Sequence, residues 1–360
     1  MEEEQRVDGV QLELFARAVL EKAGCEVPSA EAVAWSLTEG SLRGVDSHGI
    51  RLLPHYVENL VHGGINGKPN MTWSSTYPAF VVLDADHAFG AAAGFKAIDI
   101  GIERAQQYGV AAVGVINSTH PGMMASYVLR AAAQGYLAFA FTNTGPKILS
   151  HNGKQPYFGT NPIAFACPRL EKEPFCLDMA TSMIPWNKVE AARKTGKQLP
   201  EGTVADEEGN PTTDPHVASS LLAAGSYKGF GLAAMVELLC TALLGMAFGH
   251  HTVQMYGPTS DMSEKRRLGQ FYLVARCDAC VSLPQFLQAV QQMTNEVRSE
   301  PPKESAVMLP NDPEIKVEVV RRQHGIPLDE VVLGELVALG RRFSVPFPPL
   351  LSSSSSTAKL

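Results

Sequence analysis

The sequence has few cysteines and no pattern that binds a metal. Its six cysteines are scattered over 360 residues, too few for a disulfide-based scaffold. Cys277 and Cys280 have the spacing of a CxxC motif, but no second pair and no histidines at zinc-ligand spacing follow them. His250 and His251 also lack partners at metal-ligand spacing. We therefore expect reduced thiols at the end of a strand and no bound metal.

Long apolar runs and clusters of basic residues are missing as well. No apolar run approaches the roughly 18 residues of a membrane span. The first residues, MEEEQRVDG, are acidic and do not have the apolar segment of a signal peptide. The formal net charge is −7, and no row of Lys and Arg repeats along a predicted helix face. Neither a membrane nor a nucleic acid is an expected partner.

The common nucleotide-binding and hydrolase motifs are absent too. No GxGxxG follows a predicted strand, and the glycines of GAAAG at 90–94 have the wrong spacing for one. There is no Walker A motif and no GxSxG. These absences disfavour a Rossmann dehydrogenase, a phosphoryl-transfer enzyme and an α/β-hydrolase.

The sequence does contain alternating apolar strands and amphipathic helices, in a chain long enough for two hydrophobic cores. Strands are predicted at 80–83, 110–116, 136–142, 163–167 and 268–275, and helices at 10–24, 29–42, 54–62, 91–107, 123–135, 283–298 and 329–342. Residues 314–322 fit a helix or a strand. Residues 195–215, rich in Gly, Pro, Asp and Thr, predict a long surface excursion. Residues 229–248 predict a buried apolar helix of about five turns.

The most informative stretch is the strand at 110–116 and the polar loop after it. Such a loop is exposed while the strand fixes its base, and α/β proteins usually hold their chemistry there. The loop carries His120, whose ordinary pKa of roughly 6.5 suits proton transfer near neutral pH. The alternative is a loop histidine that only bonds a neighbouring carbonyl.

Two further stretches suit ligand binding. Residues 159–164, GTNPIA, form a turn with hydroxyl and amide donors ahead of a strand. Lys228 lies next to Gly229 at the start of the predicted apolar helix, and a helix N-terminus with a lysine suits an anionic group. The alternative for each stretch is that its residues only form a turn and bind no ligand.

The last residues, SVPFPPLLSSSSSTAKL, are of low complexity and predict a disordered tail. The final Ala358, Lys359 and Leu360 differ from the peroxisomal Ser-Lys-Leu signal only by Ser to Ala. We expect import into a peroxisome-type organelle through a receptor that binds this end. The alternative is a cytoplasmic location.

Six motifs together resemble one family. They are RGVDSHG at 43–49, NSTH at 117–120, GTNPIA at 159–164, LDMATS at 177–182, YKGFG at 227–231 and GIPL at 325–328. In this order and spacing they resemble the type-2 malate/L-lactate dehydrogenase family, which includes sulfolactate, ureidoglycolate and diketogulonate enzymes. The resemblance covers roughly residues 8–345.

The resemblance implies a homodimeric α/β enzyme with a non-Rossmann, mixed-sheet fold that uses NAD or NADP. It implies hydride transfer between the nicotinamide and a small 2-hydroxy or 2-oxo acid of the malate or lactate type. It implies a cofactor-binding domain at 75–270, a discontinuous second domain from 1–74 and 271–345, and a tail at 346–360.

Residue by residue, the resemblance implies His120 as the acid/base, with His48 as a second proton-handling or substrate-binding residue. Ser47 would bind the substrate, and the substrate carboxylate needs a side chain that donates two parallel hydrogen bonds. We expect Arg51 to supply that fork, with Arg43 as the alternative, because Leu52 occupies the position where many relatives carry arginine. The expected cofactor-binding residues are Thr144, Asn161, Pro162, Asp178, Met179, Ala180, Lys228 and Gly229.

Two other functions stay open at this point. One is reduction of a cyclic imine, a C=N bond, on the same fold. The other is a nucleotide-binding protein without turnover, although such a protein has no need of a proton donor. A panel of 2-oxo acids and cyclic imines separates the three.

Overall fold

The computed structural model describes residues 5–170, 173–255 and 260–351. The helices are α1 Gly9–Lys22, α2 Val27–Leu42, α3 Leu53–Val61, α4 Gly90–Tyr108, α5 Ala125–Ala133, α6 Trp186–Thr195, α7 Tyr227–Cys240, α8 Leu283–Ser299, α9 Asp312–His324 and α10 Glu330–Phe343. The strands are β1 Gln5–Val7, β2 Thr72–Tyr77, β3 Phe80–Asp84, β4 Val110–Ser118, β5 Tyr136–Thr142, β6 Ile148–Leu149, β7 Pro156–Phe158, β8 Ile163–Cys167, β9 Phe175–Met179, β10 Val204–Ala205, β11 Pro211–Thr212, β12 Ser220–Leu221, β13 Leu268–Arg276 and β14 Ile326–Leu328.

The main feature of the fold is a seven-stranded sheet in the order β2-β3-β4-β13-β5-β8-β9. Only β3 and β4 pair in parallel, while the other neighbours are antiparallel. Helices α4 and α5 cover one face and α7 the other. The mixed α/β architecture expected from the sequence is confirmed.

The alternation of side chains along β4 explains why this strand lies in the middle of the sheet. Ala111, Val113 and Val115 are fully buried in the core beneath α4 and α5. The opposite face packs against α7, where Phe141 and Phe271 contact a cluster that includes Val236. A strand covered on both faces reads as an apolar run, as predicted for 110–116.

Residues 195–215 are not simply a surface excursion, and that expectation is wrong in part. They supply β10 and β11 to a second, five-stranded sheet in the order β11-β10-β12-β6-β7. Val204 and Ala205 are fully buried there. This short apolar pair is enough to anchor the segment, although turn-forming residues surround it.

The N-terminal and C-terminal segments share one hydrophobic core. β1 pairs with β14, and Phe15 of α1 contacts Phe347 with ring centroids 5.1 Å apart. The Leu351 amide donates to the Arg6 carbonyl at 2.8 Å. Residues 346–351 are therefore held against the N-terminal segment by Phe347, Pro348 and a backbone hydrogen bond, and the disordered tail predicted for 346–360 is wrong for them. Apolar Phe347 outweighs the low complexity around it, and residues 352–360 lie outside the described residues.

The predicted domain boundary at residue 270 falls inside β13, which pairs with β4 and β5 in the middle of the sheet. Residues 271–276 therefore belong with the central sheet, and the division into two domains otherwise stays a prediction. Residues 314–322 form part of a helix, α9, because acidic residues in its first turn and basic residues in its last complement the helix dipole.

The apolar helix predicted at 229–248 ends earlier, at Cys240, and a separate 3-10 turn follows at Ala242–Leu244. It is not uniformly buried, because Leu238 is 61% exposed. Among the described residues, the stretch Tyr227–Leu244 also has the length and apolar composition of a membrane span. The expectation that no apolar run approaches that length is thus wrong, although core helices of soluble proteins meet the same criterion.

Candidate active site

A cavity of about 740 Å³ lies where the N-terminal segment meets the ends of β4, β5 and β9 and the start of α9. Eight of the residues predicted for the site line it: Arg43, Ser47, His48, His120, Thr144, Pro162, Asp178 and Ala180. They come from motifs more than a hundred residues apart in sequence. The fold therefore brings both predicted histidines and part of the predicted cofactor site to one cavity.

The loop that carries His120 is held by the first residue of α4. The Thr119 hydroxyl accepts from the Gly90 amide at 2.9 Å and donates to the Ala88 carbonyl at 3.0 Å. A Cβ at Gly90 would lie 2.4 Å from the Thr119 carbonyl oxygen. Only glycine allows α4 to start this close to the loop, and the backbone immediately before His120 is therefore fixed.

His48 lies on a 3-10 turn, Asp46–His48, that α9 holds in place. The Asp46 carboxylate accepts two hydrogen bonds from Arg321 at 2.6 and 2.9 Å. The Ser47 hydroxyl lies 2.9 Å from Nδ1 of His48, and Asn187 of α6 donates to the Ser47 carbonyl at 3.3 Å. This anchoring keeps the His48 ring at the cavity wall.

The imidazole rings of His48 and His120 are stacked. Their ring centroids are 5.5 Å apart, with an angle of 19° between the planes. The Tyr56 hydroxyl lies 2.8 Å from Nδ1 of His120. Because this contact engages Nδ1, Nε2 is the nitrogen of His120 that is placed to exchange a proton with a ligand.

Burial sets the charge state of these histidines. It lowers the pKa of His48 to about 4 and that of His55 to about 4. The pKa of His120 is well below its ordinary value, first because of burial and then because of repulsion from His48 when it is protonated, from the Arg266 guanidinium, and from His55 when it is protonated. All three imidazoles are therefore neutral at pH 7, and the neutral form of His120 is the form that accepts a proton.

The cavity wall also carries the hydroxyls of Thr144 and Thr160, the Lys147 ammonium and the Trp186 ring. Thr144 and Thr160 are hydrogen-bonded to each other, with the Thr160 amide donating to the Thr144 hydroxyl at 3.1 Å. The Lys147 ammonium lies 4.5 Å from the centre of the Trp186 ring, and burial lowers its pKa. Such a wall suits a phosphorylated ligand with flat rings.

Asp178 connects the cavity to α5. Its carboxylate accepts from the Ala125 amide at 2.7 Å, at the first turn of that helix. Although the Asp178 side chain is open to the cavity, desolvation by the surrounding protein raises its pKa to about 6. Asp178 therefore caps the helix that follows the His120 loop, as well as lining the cavity.

The remaining predicted residues do not line the cavity. Arg51 and Lys228 are exposed, while Met179 lies on β9 between two residues that do line it. Gly229 is buried, and a Cβ there would lie 2.1 Å from the Ala224 carbonyl oxygen. None of these four residues lines the cavity.

Asn161 is buried behind the cavity wall. Its amide nitrogen donates to the Ala233 carbonyl at 3.0 Å and to the Glu237 carboxylate at 2.7 Å, and its side-chain oxygen accepts from the Thr144 amide at 3.1 Å. It thus connects the Thr144 loop to α7. Its role in the fold is to position the cavity wall.

The comparisons with known proteins agree with this geometry. Residues 7–337 match the family model described as malate/L-lactate dehydrogenase. The malate dehydrogenase of Pyrococcus abyssi is 32% identical over 352 residues, which is 94% of this chain and 95% of that protein. The chain belongs to the malate/L-lactate dehydrogenase family.

Two further family members are similar over most of their length. The ureidoglycolate dehydrogenase (NAD(+)) of Escherichia coli is 34% identical over 278 residues, 77% of this chain and 79% of that protein. The crystal structure of malate dehydrogenase from Entamoeba histolytica has a TM-score of 0.90 at 28% identity, and covers 96% of this chain and 100% of that one. The chain is an oxidoreductase of this family, and the resemblance seen in its motifs is confirmed.

The sequence did not predict four further residues of this site. Lys147, Trp186 and Arg266 line the cavity, and Tyr56 contacts His120. Tyr56 is 4% exposed and fits the apolar face of α3, so its pattern is that of a core aromatic residue. Lys147 and Trp186 lie outside any recognisable motif. Arg266 immediately precedes the exposed Arg267, and composition alone does not tell the two apart.

Proposed function

We propose that this chain transfers hydride between a nicotinamide dinucleotide and a small 2-hydroxy or 2-oxo acid. The observation that carries this proposal is the stacked pair His48 and His120, 5.5 Å apart at one end of a cavity of about 740 Å³. Two of its relatives are named malate dehydrogenase and ureidoglycolate dehydrogenase, and malate and ureidoglycolate are acids of this kind. Malate or lactate is the first substrate to test.

The residues present fit an NAD(P) cofactor. The cavity volume lies in the upper part of the range for ligand sites, about 300–1,000 Å³. Thr144 and Thr160 would hold polar groups of the dinucleotide, Lys147 a phosphate, and Pro162 and Ala180 the flat nicotinamide ring. When bound, the nicotinamide supplies or accepts the hydride.

The chain's own chemistry is proton transfer at His120. In oxidation, neutral His120 accepts the hydroxyl proton at Nε2 while the C–H bond gives its hydride to the cofactor. In reduction, the carbonyl carbon receives the hydride and protonated His120 returns a proton to the oxygen. Because His120 is neutral in the empty site, reduction needs an anionic substrate nearby, whose charge raises the pKa of the imidazole.

A substrate panel tests this function. Purified protein is mixed with NADH or NADPH and each of pyruvate, oxaloacetate, longer 2-oxo acids and cyclic-imine carboxylates, and the cofactor absorbance is followed. The proposal expects turnover of at least one 2-oxo acid, with the preferred cofactor seen in the same assay. Turnover of imines alone would replace it with C=N reduction. Cofactor binding without any turnover would replace it with a nucleotide-binding role.

We propose further that the chain forms a homodimer through the exposed apolar side of α7 and the segment after it. Leu232, Met235, Leu238, Leu243 and Phe248 are each at least 39% exposed. Several large apolar side chains exposed on one helix and the segment after it are typical of an interface. Analytical ultracentrifugation is expected to show a dimer for the unmodified chain and dissociation for Leu238→Glu; a monomeric unmodified chain contradicts this proposal.

We also propose that Ala358, Lys359 and Leu360 act as a peroxisome-type import signal. Support comes from their likeness to Ser-Lys-Leu and from the serine-rich segment before them. A fluorescent fusion of the full chain, with the tag at its N-terminus, is expected in the organelle. Deletion of 358–360 is expected to leave it in the cytoplasm, and import of the deleted form rules the signal out.

A further inference from the structure

Recognition of a carboxylate beside the two histidines requires a cation at that end of the cavity, and this requirement rests on the proposed function. Arginine suits it best, because its planar fork matches the two oxygens of a carboxylate. The candidates are Arg43, Arg51 and Arg266.

Arg51 and Arg43 do not meet this requirement. Arg51 is exposed, and the neighbouring Leu52 forms the cavity wall in its place. Arg43 lines the cavity, but its guanidinium donates to Glu318 at 2.5 Å and to Asn311 at 2.5 Å, with the Glu39 carboxylate 3.6 Å away. The charge of Arg43 is therefore already matched by two carboxylates within the protein.

Arg266 is placed next to the acid/base residue by the register of the central sheet. Leu268 of β13 pairs antiparallel with Ser118 of β4. Arg266 comes two residues before this pair and His120 two residues after it, so the two chain segments leave the sheet at the same edge. The Arg266 side chain lines the cavity together with both histidines, and it is only 7% exposed.

The electrostatics of the site agree with this placement. The positive charge of Arg266 lowers the pKa of both His120 and His55. Its Nη2 lies 3.5 Å from the Val253 carbonyl, which holds the side chain from the segment before β13. Since His48, His55 and His120 are neutral at pH 7, Arg266 supplies a permanent positive charge beside them.

We propose that Arg266 is the specificity-determining residue, and that its guanidinium binds the substrate carboxylate. The carboxylate oxygens would each accept a hydrogen bond from the guanidinium. The 2-oxo or 2-hydroxy oxygen, one carbon away, then faces His120. This arrangement selects 2-oxo acids over uncharged carbonyl compounds, and it brings the negative charge that supports protonation of His120.

The test compares Arg266→Gln and Arg266→Lys with Arg267→Gln, which removes the exposed charge next to it and serves as the matched control. Each is assayed with pyruvate, or the best acid of the panel, and with the corresponding uncharged amide. Arg266→Gln is expected to lower kcat/KM for the acid by about 10²- to 10³-fold and to change the amide little. Arg266→Lys is expected to fall between, because it keeps the charge but not the fork. Arg267→Gln is expected to stay within about twofold of the unmodified protein.

Two readouts separate recognition from a structural role. In Arg266→Gln the pH dependence moves upward, because the charge that lowers the pKa of His120 is gone while His48, His55 and Tyr56 remain. Oxamate, an isosteric acid that does not accept hydride, raises the melting temperature of the unmodified protein with cofactor present, and does so much less in Arg266→Gln. Binding of the reduced cofactor, followed by its fluorescence, is expected to be the same in both.

The outcomes distinguish this inference from the proposed function. If no 2-oxo acid is turned over by the unmodified protein, the proposed function fails. If acids are turned over but Arg266→Gln keeps the ratio of acid to amide, Arg266 does not bind the carboxylate. Should Arg266→Gln fail to fold, Arg266→Lys decides the question: an unchanged kcat/KM and an unchanged oxamate effect also overturn the inference.

Discussion

Removal of the Tyr56 hydroxyl tests how His120 is positioned. Tyr56 is 4% exposed, and its hydroxyl lies 2.8 Å from Nδ1 of His120. In Tyr56→Phe the ring stays and continues to pack against Phe89, whose centroid is 6.0 Å away. The hydroxyl contacts with Nδ1 of His120 and, at 3.4 Å, with the His120 carbonyl are lost, so the ring orientation and the position of its proton are no longer held.

The magnitude follows from the cost of a buried polar atom without its partner, about 1–3 kcal/mol. If that cost appears in the transition state, kcat falls about 5- to 150-fold while the KM of the cofactor is unchanged. Steady-state kinetics with the best acid of the panel measure this, and Tyr77→Phe, at a residue 72% exposed, is the control. A kcat within twofold and an unaltered pH profile in Tyr56→Phe would refute the positioning role.

Three further predictions concern charge and buried polar groups. First, the pKa of His48 and of His55 falls from 6.5 in the unfolded chain to about 4 in the folded protein. The folded state is therefore fully stable with respect to these groups above pH 6.5, and it loses at most about 3 kcal/mol per histidine as the pH falls to 4, because only the unfolded chain takes up the protons. Thermal unfolding across this pH range is expected to be less acid-sensitive in His48→Gln, and equal sensitivity contradicts the shift. Second, Lys147→Ala is expected to raise the cofactor KM about 10- to 100-fold and the exposed Lys228→Ala much less; the reverse order would return the cofactor phosphate to Lys228. Third, Asn161→Ala removes the partner of the Thr144 amide and one of the two partners of the Glu237 carboxylate, which keeps the Gly249 amide at 2.8 Å. It is expected to cost about 2–3 kcal/mol in chemical denaturation, whereas Asn70→Ala, at an exposed residue without a positive φ, is expected to cost almost nothing. Equal losses would show that the Asn161 bonds add no stability.

The strands of the central sheet were predictable because the order of apolar and polar side chains along each strand reflects which of its faces are buried. The strand at 110–116 is covered on both faces, and a continuous apolar run of that length is typical of a strand buried in this way. The same logic fails for the helix at 229–248. Its apolar residues are partly exposed, and composition does not distinguish a face that meets the sheet from one that meets another molecule.

The candidate site was predictable where a residue stands in a motif. His48 and His120 both reach the cavity, as their motifs imply. Arg266 could not be found in this way, because its position depends on the pairing of β13 with β4, two strands separated by about 150 residues. Asn161 shows the opposite case: its motif is informative, but its amide is used inside the protein and not toward the cavity.

The most direct test of the proposed chemistry is the turnover of His120→Ala. Positioned acid/base catalysis contributes roughly 10²- to 10⁴-fold, so kcat is expected to fall by that factor while binding of the reduced cofactor survives. His48→Ala, measured beside it, is expected to keep the pH dependence that His120 confers. If His120→Ala keeps both its rate and its pH profile while His48→Ala loses them, the central claim is wrong and His48 is the proton donor.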